Sequence, residues 1–187
     1  MKAILGKKLG MTTIFDEKGK AQNVTLIECE PNKVTVERTA DKDGYKAVRL
    51  EIAKTKNKTN RKEFRTEKET ETPAVGTEVK VDVFQVGDIV KLSGIAKAKG
   101  FQGVVKRHGF AGAPHSHGRK HDWRKPGSIG SGFPEHVTKG KRMAGRMGGK
   151  RTTAEGVAVV LVDIENNLIA VKGAVPGVSG RIVEIRA

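Results

Sequence analysis

The first 95 residues alternate between short apolar runs and turn-forming residues. Runs of Val, Ile, Leu and Thr in which apolar and polar positions partly alternate are typical of half-buried strands. Glycine-containing turns at 16–19, 41–44 and 86–88 separate several of these runs. The pattern predicts strands at residues 11–15, 21–28, 32–38, 45–53, 79–84 and 89–95.

The strand pattern resumes after residue 152. It predicts strands at 157–164, 168–172 and 181–185, with a turn at 165–167. Strands on both sides of the middle segment most simply belong to one sheet system, and closing that sheet removes exposed edges. The predicted fold is therefore mainly β: a small closed β barrel with a long, basic, mostly irregular extension inserted in it. The predicted domains are a β-barrel domain at 1–95 and 152–187 and an extension at 96–151.

Two further segments lack strand periodicity. Residues 54–72 are highly charged and are predicted to form an exposed loop. The sequence contains no amphipathic helix of ten or more residues, although the basic window is compatible with short helical turns, for example around 141–147.

Charge is distributed unevenly along the chain. Residues 97–151 hold 14 of the 36 Lys and Arg but only two of the 21 Asp and Glu, so +12 of the net +15 lies there. The same window holds all five His and 12 of the 23 Gly. Such a segment cannot bury a core of its own, and its charge implies a large anionic partner. The densest biological polyanion is nucleic acid.

A disordered basic linker is the simplest alternative, because charged runs are usually solvated. Scattered apolar side chains argue against it: Phe101, Phe110, Trp123, Ile129 and Phe133. Glycines also recur beside the cations, where they let the backbone approach phosphate or sugar closely. These features favour a segment that is ordered on RNA.

Other functional classes have little support. The single cysteine, Cys29, excludes an internal disulfide and fits a reducing compartment. We predict no signal peptide, and no run reaches the roughly 18 apolar residues that a membrane span needs. His115, His117 and His121 near Asp122 suggest a metal site, but structural zinc sites usually recruit cysteine, so we expect no metal or cofactor. No nucleophile elbow or phosphate-binding loop is present, so we expect no enzyme.

Five motifs carry a family resemblance. Three lie in the basic window, at 97–107 (KAKGFQGVVKR), 126–130 (PGSIG) and 139–149 (KGKRMAGRMGG). The others are 5–12 (LGKKLGMT) and 171–177 (VKGAVPG). In this order they closely resemble the universal large-subunit ribosomal protein of the L-three family, bacterial type, over nearly the whole chain.

The resemblance implies a specific function. Family members place a translation-protein-type barrel on the outer face of the large subunit, and their extension runs through rRNA towards the peptidyl transferase centre. They bind early in assembly and are structural constituents, not enzymes. The implied partners are large-subunit rRNA and neighbouring proteins of the L-thirteen, L-fourteen and L-nineteen families, in cytoplasmic ribosomes. No membrane, small-molecule substrate or homo-oligomer is implied.

The predicted RNA-binding residues combine the basic, histidine and aromatic positions of the window with two lysines of the first motif. They are Lys7, Lys8, Lys97, Lys99, Gly100, Phe101, Lys106, Arg107, His115, His117, Arg119, Lys120, His121, Trp123, Arg124, Lys125, Ser128, Lys139, Lys141, Arg142, Arg146, Lys150 and Arg151.

Two aromatic residues in this set have alternatives. A lone tryptophan is most often a core anchor, but four cations flank Trp123 and favour packing on RNA. Phe101 fits either packing at the root of the extension or contact with RNA, and the sequence does not separate the two.

Two departures from the family matter. A glutamine that some relatives methylate after the PGSIG motif is absent, because the only glutamines are Gln22, Gln85 and Gln102. The charged segment 54–72 is shorter than in relatives, so a peripheral contact is expected to be missing. The rival class is a free nucleic-acid-binding or ribosome-assembly protein, and an enzyme with a basic substrate loop is third.

Overall fold

The chain is mainly β, as predicted. The computed structural model describes residues 1–16, 18–55, 58–66 and 72–187. Within these ranges the strands are β1 (Ala3–Phe15), β2 (Ala21–Glu28), β3 (Asn32–Arg38), β4 (Ala47–Thr55), β5 (Lys58–Arg65), β6 (Glu78–Val79), β7 (Ile89–Ile95), β8 (Phe101–Gln102), β9 (Gly145–Arg146), β10 (Arg151–Asp163), β11 (Leu168–Lys172) and β12 (Ile182–Arg186). The helical elements are α1 (Ala40–Asp43), α2 (Val104–His108) and a 3-10 turn (Val81–Val83).

The chain divides into two compact units. Unit 1 comprises Met1–Ala96 and Arg151–Ala187, and unit 2 comprises Lys97–Lys150. Within the described ranges, no helix is long and apolar enough to cross a membrane.

Six strands of unit 1 close into a ring in the order β1-β12-β7-β10-β11-β2, and β2 pairs back onto β1. All pairs are antiparallel, with Ile4 opposite Ile185 and Ile27 opposite Ile169. The strands before and after the basic window therefore share one sheet system, as predicted. The interior is mainly aliphatic and includes the fully buried Ile4, Leu92 and Ile185.

Unit 1 also contains a second sheet, which the prediction of a single barrel missed. Its order is β5-β4-β3-β6. Successive side chains of a strand point to opposite faces, and β1 uses both. Ile4 packs inside the ring, whereas Ala3 and Leu5 pack with Val34 and Leu50 of the second sheet. One strand thus serves two cores, which explains its continuous apolar start.

The predicted loop at 54–72 is wrong for residues 58–65, which form β5. This edge strand pairs with β4 from Ala47 opposite Arg65 to Thr55 opposite Lys58. Phe64 is its one buried side chain. A strand with a single inward apolar residue has no visible alternation, so only its partner strand reveals it. Residues 56–57 and 67–71 of the same prediction lie outside the described ranges.

Some of the other predicted elements are confirmed and some are wrong. The strands at 21–28, 32–38, 89–95 and 168–172 are confirmed residue for residue, and β1 and β10 are longer than predicted. The strand predicted at 79–84 is wrong beyond Val79, because a 3-10 turn follows and directs Val81 and Phe84 into the ring core. A short helix does lie in the basic window, but it is α2, whereas the example at 141–147 is wrong because β9 lies there.

Cys29 follows β2 and is fully buried in the ring core. Burial raises the pKa of its thiol far above the ordinary value, with a smaller contribution from the nearby Glu28 carboxylate. A thiol with this pKa is protonated at neutral pH, which makes it a poor nucleophile and metal ligand. Cys29 therefore acts as a core residue.

Candidate nucleic-acid interface

Unit 2 carries the cationic surface of the chain. It holds 13 Lys and Arg against Asp122 and Glu135. Val104 is the only buried residue of its helix α2, and both core clusters among the described residues are built from unit 1 alone. The shape of unit 2 is therefore set by hydrogen bonds, glycine contacts and local stacking.

The two ends of unit 2 are held together by backbone pairing. β8 pairs with β9, and the N–H of Lys99 donates to the Met147 carbonyl at 2.9 Å. Gly148 has φ 70°, and a Cβ there would overlap the carbonyl oxygen of Lys97. Glycine is thus required at position 148 because two backbone segments meet there. The glycines beside the cations were predicted to let the backbone approach phosphate or sugar, whereas Gly148 accommodates a second segment of its own chain.

Arg107 and His108 of α2 converge on one carbonyl group. The Arg107 Nη1 donates to the Met143 oxygen at 2.5 Å, and the His108 Nε2 lies 3.0 Å from the same atom. A Cβ at Gly145 would lie 2.8 Å from that Arg107 nitrogen. Arg107, predicted to bind RNA, therefore uses part of its donor capacity to fix the chain around Met143.

Trp123 is half-buried within unit 2. Its ring centroid lies 4.4 Å from that of His115, and the Arg124 guanidinium lies 5.1 Å from its centroid. Its carbonyl accepts the N–H of Ala113 at 3.0 Å. Trp123 belongs to neither core cluster of the described residues, so it is not a core anchor there. The stack presents an aromatic ring among cations.

Two phenylalanines of unit 2 are largely exposed. Phe101 is 76% exposed and belongs to neither core cluster of the described residues. Phe133 is 85% exposed, and it was not among the predicted site residues. Its position among glycine, serine and proline in the basic window was the available signal. Both rings are accessible for stacking on a base.

Most of the predicted basic residues are exposed and accessible to a partner. His115, His117 and His121 are exposed as well, and Ser128 donates to the Gly130 carbonyl at 3.0 Å. Among the described residues, no group of three or more His, Cys, Asp or Glu is placed to hold a metal ion. The exposed predicted residues of unit 2 are Lys97, Lys99, Gly100, Phe101, Lys106, His115, His117, Arg119, Lys120, His121, Arg124, Lys125, Ser128, Lys139, Lys141, Arg142, Arg146 and Lys150.

One carboxylate of unit 2 is paired. Lys125 lies 2.6 Å from Asp122, and its hydrogen bond and charge, with a smaller contribution from Arg119, hold the pKa of Asp122 below its usual value. Asp122 is therefore ionised at neutral pH. It partly neutralises Lys125 as a phosphate ligand.

Three predicted residues belong to unit 1, and one needs correction. The Lys8 side chain is buried, and its Nζ donates to the carbonyls of Val175 at 2.8 Å and Gly177 at 3.2 Å. Its charge is solvated by backbone oxygens, so Lys8 stabilises the fold. Lys7 lies 3.7 Å from Glu28, and Arg151 pairs with Glu184.

A β unit that continues into a strongly cationic, glycine-rich unit is typical of proteins that bind a polyanion. A family model described as Ribosomal protein L3 matches residues 48–163. Similar proteins include the large ribosomal subunit protein uL3 of Bacillus thuringiensis (strain Al Hakam), Bacillus cereus (strain B4264) and Bacillus anthracis (strain CDC 684 / NRRL 3495). Each is 45% identical over 202 residues, which covers 99% of this chain and 96% of the relative. The chain belongs to the ribosomal protein L3 family.

Proposed function

We propose that this protein is a structural constituent of the large ribosomal subunit and binds large-subunit rRNA. The observation that carries the proposal is the separation of charge. Unit 2 holds 13 cations and two carboxylates with almost no buried core, so it needs a polyanionic partner to cover it. The names of the relatives support the same conclusion, because each is a large ribosomal subunit protein.

The two units have different roles in this proposal. The six-stranded ring of unit 1 is the translation-protein-type barrel, and unit 2 is the basic extension that penetrates rRNA. The domains are 1–95 with 152–187 and the extension 96–151, one residue from the observed division at each junction. Contacts between cations and phosphates supply affinity that does not depend on the RNA sequence. Exposed aromatic rings supply local stacking on RNA bases.

The finer roles follow from family membership. The extension braces rRNA near the peptidyl transferase centre, and the protein binds early in subunit assembly. Its neighbours are proteins of the L-thirteen, L-fourteen and L-nineteen families, in cytoplasmic ribosomes. The chemistry of peptide-bond formation belongs to RNA, so the protein contributes position and charge and no catalytic group or cofactor.

The proposal is tested by charge neutralisation in unit 2. A variant with Lys139, Lys141, Arg142 and Arg146 changed to Gln should footprint weakly on large-subunit rRNA and incorporate poorly into reconstituted subunits. The matched control changes four exposed lysines of unit 1: Lys18, Lys20, Lys33 and Lys42. The control should retain the footprint. Equal losses in both variants would contradict an interface centred on unit 2.

The alternative is a free nucleic-acid-binding or ribosome-assembly protein, which the charge separation would equally suit. Sedimentation in high salt separates the two functions. A constituent of the subunit stays with the large-subunit peak after a wash that removes loosely bound proteins. Release of this chain in that wash would favour the alternative.

A further inference from the structure

A cavity of about 720 Å³ lies within unit 2, between residues 110–113 and 119–127. Phe110 and Pro126 contribute apolar wall. Arg119, Lys125 and Asp122 contribute two cations and one carboxylate. Cations alone suffice for a phosphate-binding surface. The carboxylate in this cavity indicates a ligand with hydrogen-bond donors, and the aromatic ring indicates a ligand with a flat apolar face.

The cavity is framed by backbone contacts. The N–H of Ala113 donates to the Trp123 carbonyl at 3.0 Å, which joins the two segments. Gly112 has φ 78°, and a Cβ there would overlap the same Trp123 oxygen. The N–H of Lys125 donates to the backbone oxygen of Asp122 at 3.1 Å, which closes a turn beside the cavity. The walls are therefore positioned without a ligand.

Asp122 determines which donors the cavity accepts. Its carboxylate is ionised beside Lys125, and an ionised carboxylate is an acceptor only. A carboxylate offers about four lone-pair sites, so the ion pair with Lys125 leaves room for further donors. Guanine is the RNA base that presents two adjacent donors on one edge, N1–H and the 2-amino group. Adenine and cytosine present one amino group, and uracil presents a single N–H.

We propose that this cavity binds an unpaired guanosine of an RNA strand, with the base against Phe110 and its Watson–Crick edge on Asp122. The inference rests on the proposed function and adds base specificity to it. Arg119 and Lys125 take the flanking phosphates. Sequence-specific RNA recognition commonly uses unstacked bases held in this way. The cationic surroundings favour a strand over a free nucleotide, because each further phosphate adds affinity.

The test measures binding of the full chain to short unpaired RNAs by fluorescence anisotropy at fixed salt. The probes are a seven-nucleotide uridine strand and the same strand with a central guanosine, inosine or adenosine. A bidentate contact should favour guanosine over adenosine by about 5- to 150-fold. Inosine, which lacks the 2-amino group, should bind with intermediate affinity.

Asp122→Asn removes the second acceptor with little change in shape. It should reduce the preference for guanosine to within about twofold, while affinity for the uridine strand should not fall, because the change removes the charge that partly neutralises Lys125. Glu135→Gln, the other carboxylate of unit 2, is the matched control and should keep the preference. Lys125→Gln breaks the ion pair but keeps the carboxylate, so it should also keep the preference.

Several outcomes would overturn the inference. They are a wild-type protein without preference for guanosine, an Asp122→Asn protein that keeps it, or a Lys125→Gln protein that loses it. Guanosine monophosphate that competes as strongly as the guanosine strand would make the cavity a free-nucleotide site and overturn the RNA source. If the protein binds the uridine strand steeply with salt but without base preference, only this inference fails. If it binds neither that strand nor rRNA, the proposed function fails.

Discussion

At the scale of single residues, Asn32 is a buried polar side chain of unit 1 that bonds to three backbone groups. It is fully buried at the start of β3, and its Oδ1 accepts the Leu5 N–H at 3.0 Å. Its Nδ2 donates to the carbonyls of Leu5 at 3.0 Å and Glu30 at 2.8 Å. One side chain thus satisfies both backbone groups of Leu5 and ties β3 to β1.

We expect Asn32→Ala to lower the free energy of unfolding by about 2–3 kcal/mol, because it leaves buried backbone groups unpartnered. Urea unfolding followed by circular dichroism measures this. The control is Asn23→Ala, whose exposed side chain accepts a hydrogen bond from the Thr13 hydroxyl at 3.0 Å. That change should stay within about 0.5 kcal/mol. Equal effects would mean that Asn32 has no special role.

Trp123 also belongs to the residue scale. Its contacts lie in unit 2, with His115 and Arg124, so Trp123→Ala should leave the main unfolding transition of the protein unchanged. It should weaken rRNA binding by about 1–3 kcal/mol if one stacking contact is lost. Thermal melting measures the stability of the variant, and filter binding measures its affinity for rRNA.

The conservative control for Trp123 is phenylalanine, which keeps a ring and should recover most of the binding. A Trp123→Ala protein that melts several degrees lower, yet binds rRNA normally, would return this residue to the role of a core anchor.

At the scale of elements, the second sheet depends on a strand with very little apolar surface. β5 contributes Phe64 to the core that β1, β3 and β4 build, and Phe64 is only 6% exposed. Its other side chains are mostly charged, and charges on an edge strand discourage pairing with another chain. The charged composition of β5, from which a loop was predicted, is therefore suited to the edge strand of a sheet.

Phe64→Ala should cost about 3–5 kcal/mol of unfolding free energy, because it leaves a cavity in the second core. Phe15→Ala is the matched control, because Phe15 at the end of β1 is 69% exposed. The control should change stability by less than about 0.5 kcal/mol. Chemical denaturation of both variants measures these changes. A loss of unfolding free energy below about 1 kcal/mol for Phe64→Ala would argue against the burial of Phe64.

At the scale of the whole molecule, burial and charge are divided between the units. Unit 1 holds both core clusters, and unit 2 holds most of the net charge. In unit 2, Arg107 donates to the Met143 carbonyl and Lys125 pairs with Asp122, so part of their hydrogen-bonding capacity is used within the chain. The remaining cations are available to phosphates.

Binding to rRNA should therefore weaken steeply with salt. If ten cations are engaged, the slope of log K against log salt should be about −7 to −9. Replacing residues 97–150 by a short glycine linker should remove most of that slope. An unchanged slope after the deletion would place the main binding surface on unit 1.

The same deletion tests the independence of unit 1. Strand β7 ends at Ile95 opposite Arg151 of β10, so the two ends of the deleted segment lie side by side. A short linker joins them without strain, and the shortened protein should melt in one cooperative transition. A protein unfolded by circular dichroism would show that unit 1 needs unit 2 to fold.

The sequence by itself determined the strands with clear alternation and turns, such as β2, β3, β7 and β11, because periodicity and turn chemistry are local. It also located the cationic segment and its family motifs. Only the tertiary structure decided the second sheet, since β5 is recognisable by its pairing with β4 and the burial of Phe64.

The roles of individual cations were likewise decided in three dimensions. Lys8 and Lys7 are alike in sequence, but the Lys8 amine is buried against the carbonyl of Val175, 167 residues away, whereas Lys7 lies at the surface. Arg107 reaches Met143 across 36 residues. Whether a lysine or arginine faces solvent or a distant backbone oxygen depends on chain segments that local sequence does not specify. The physical reason is that burial and hydrogen-bond partners are properties of the folded chain.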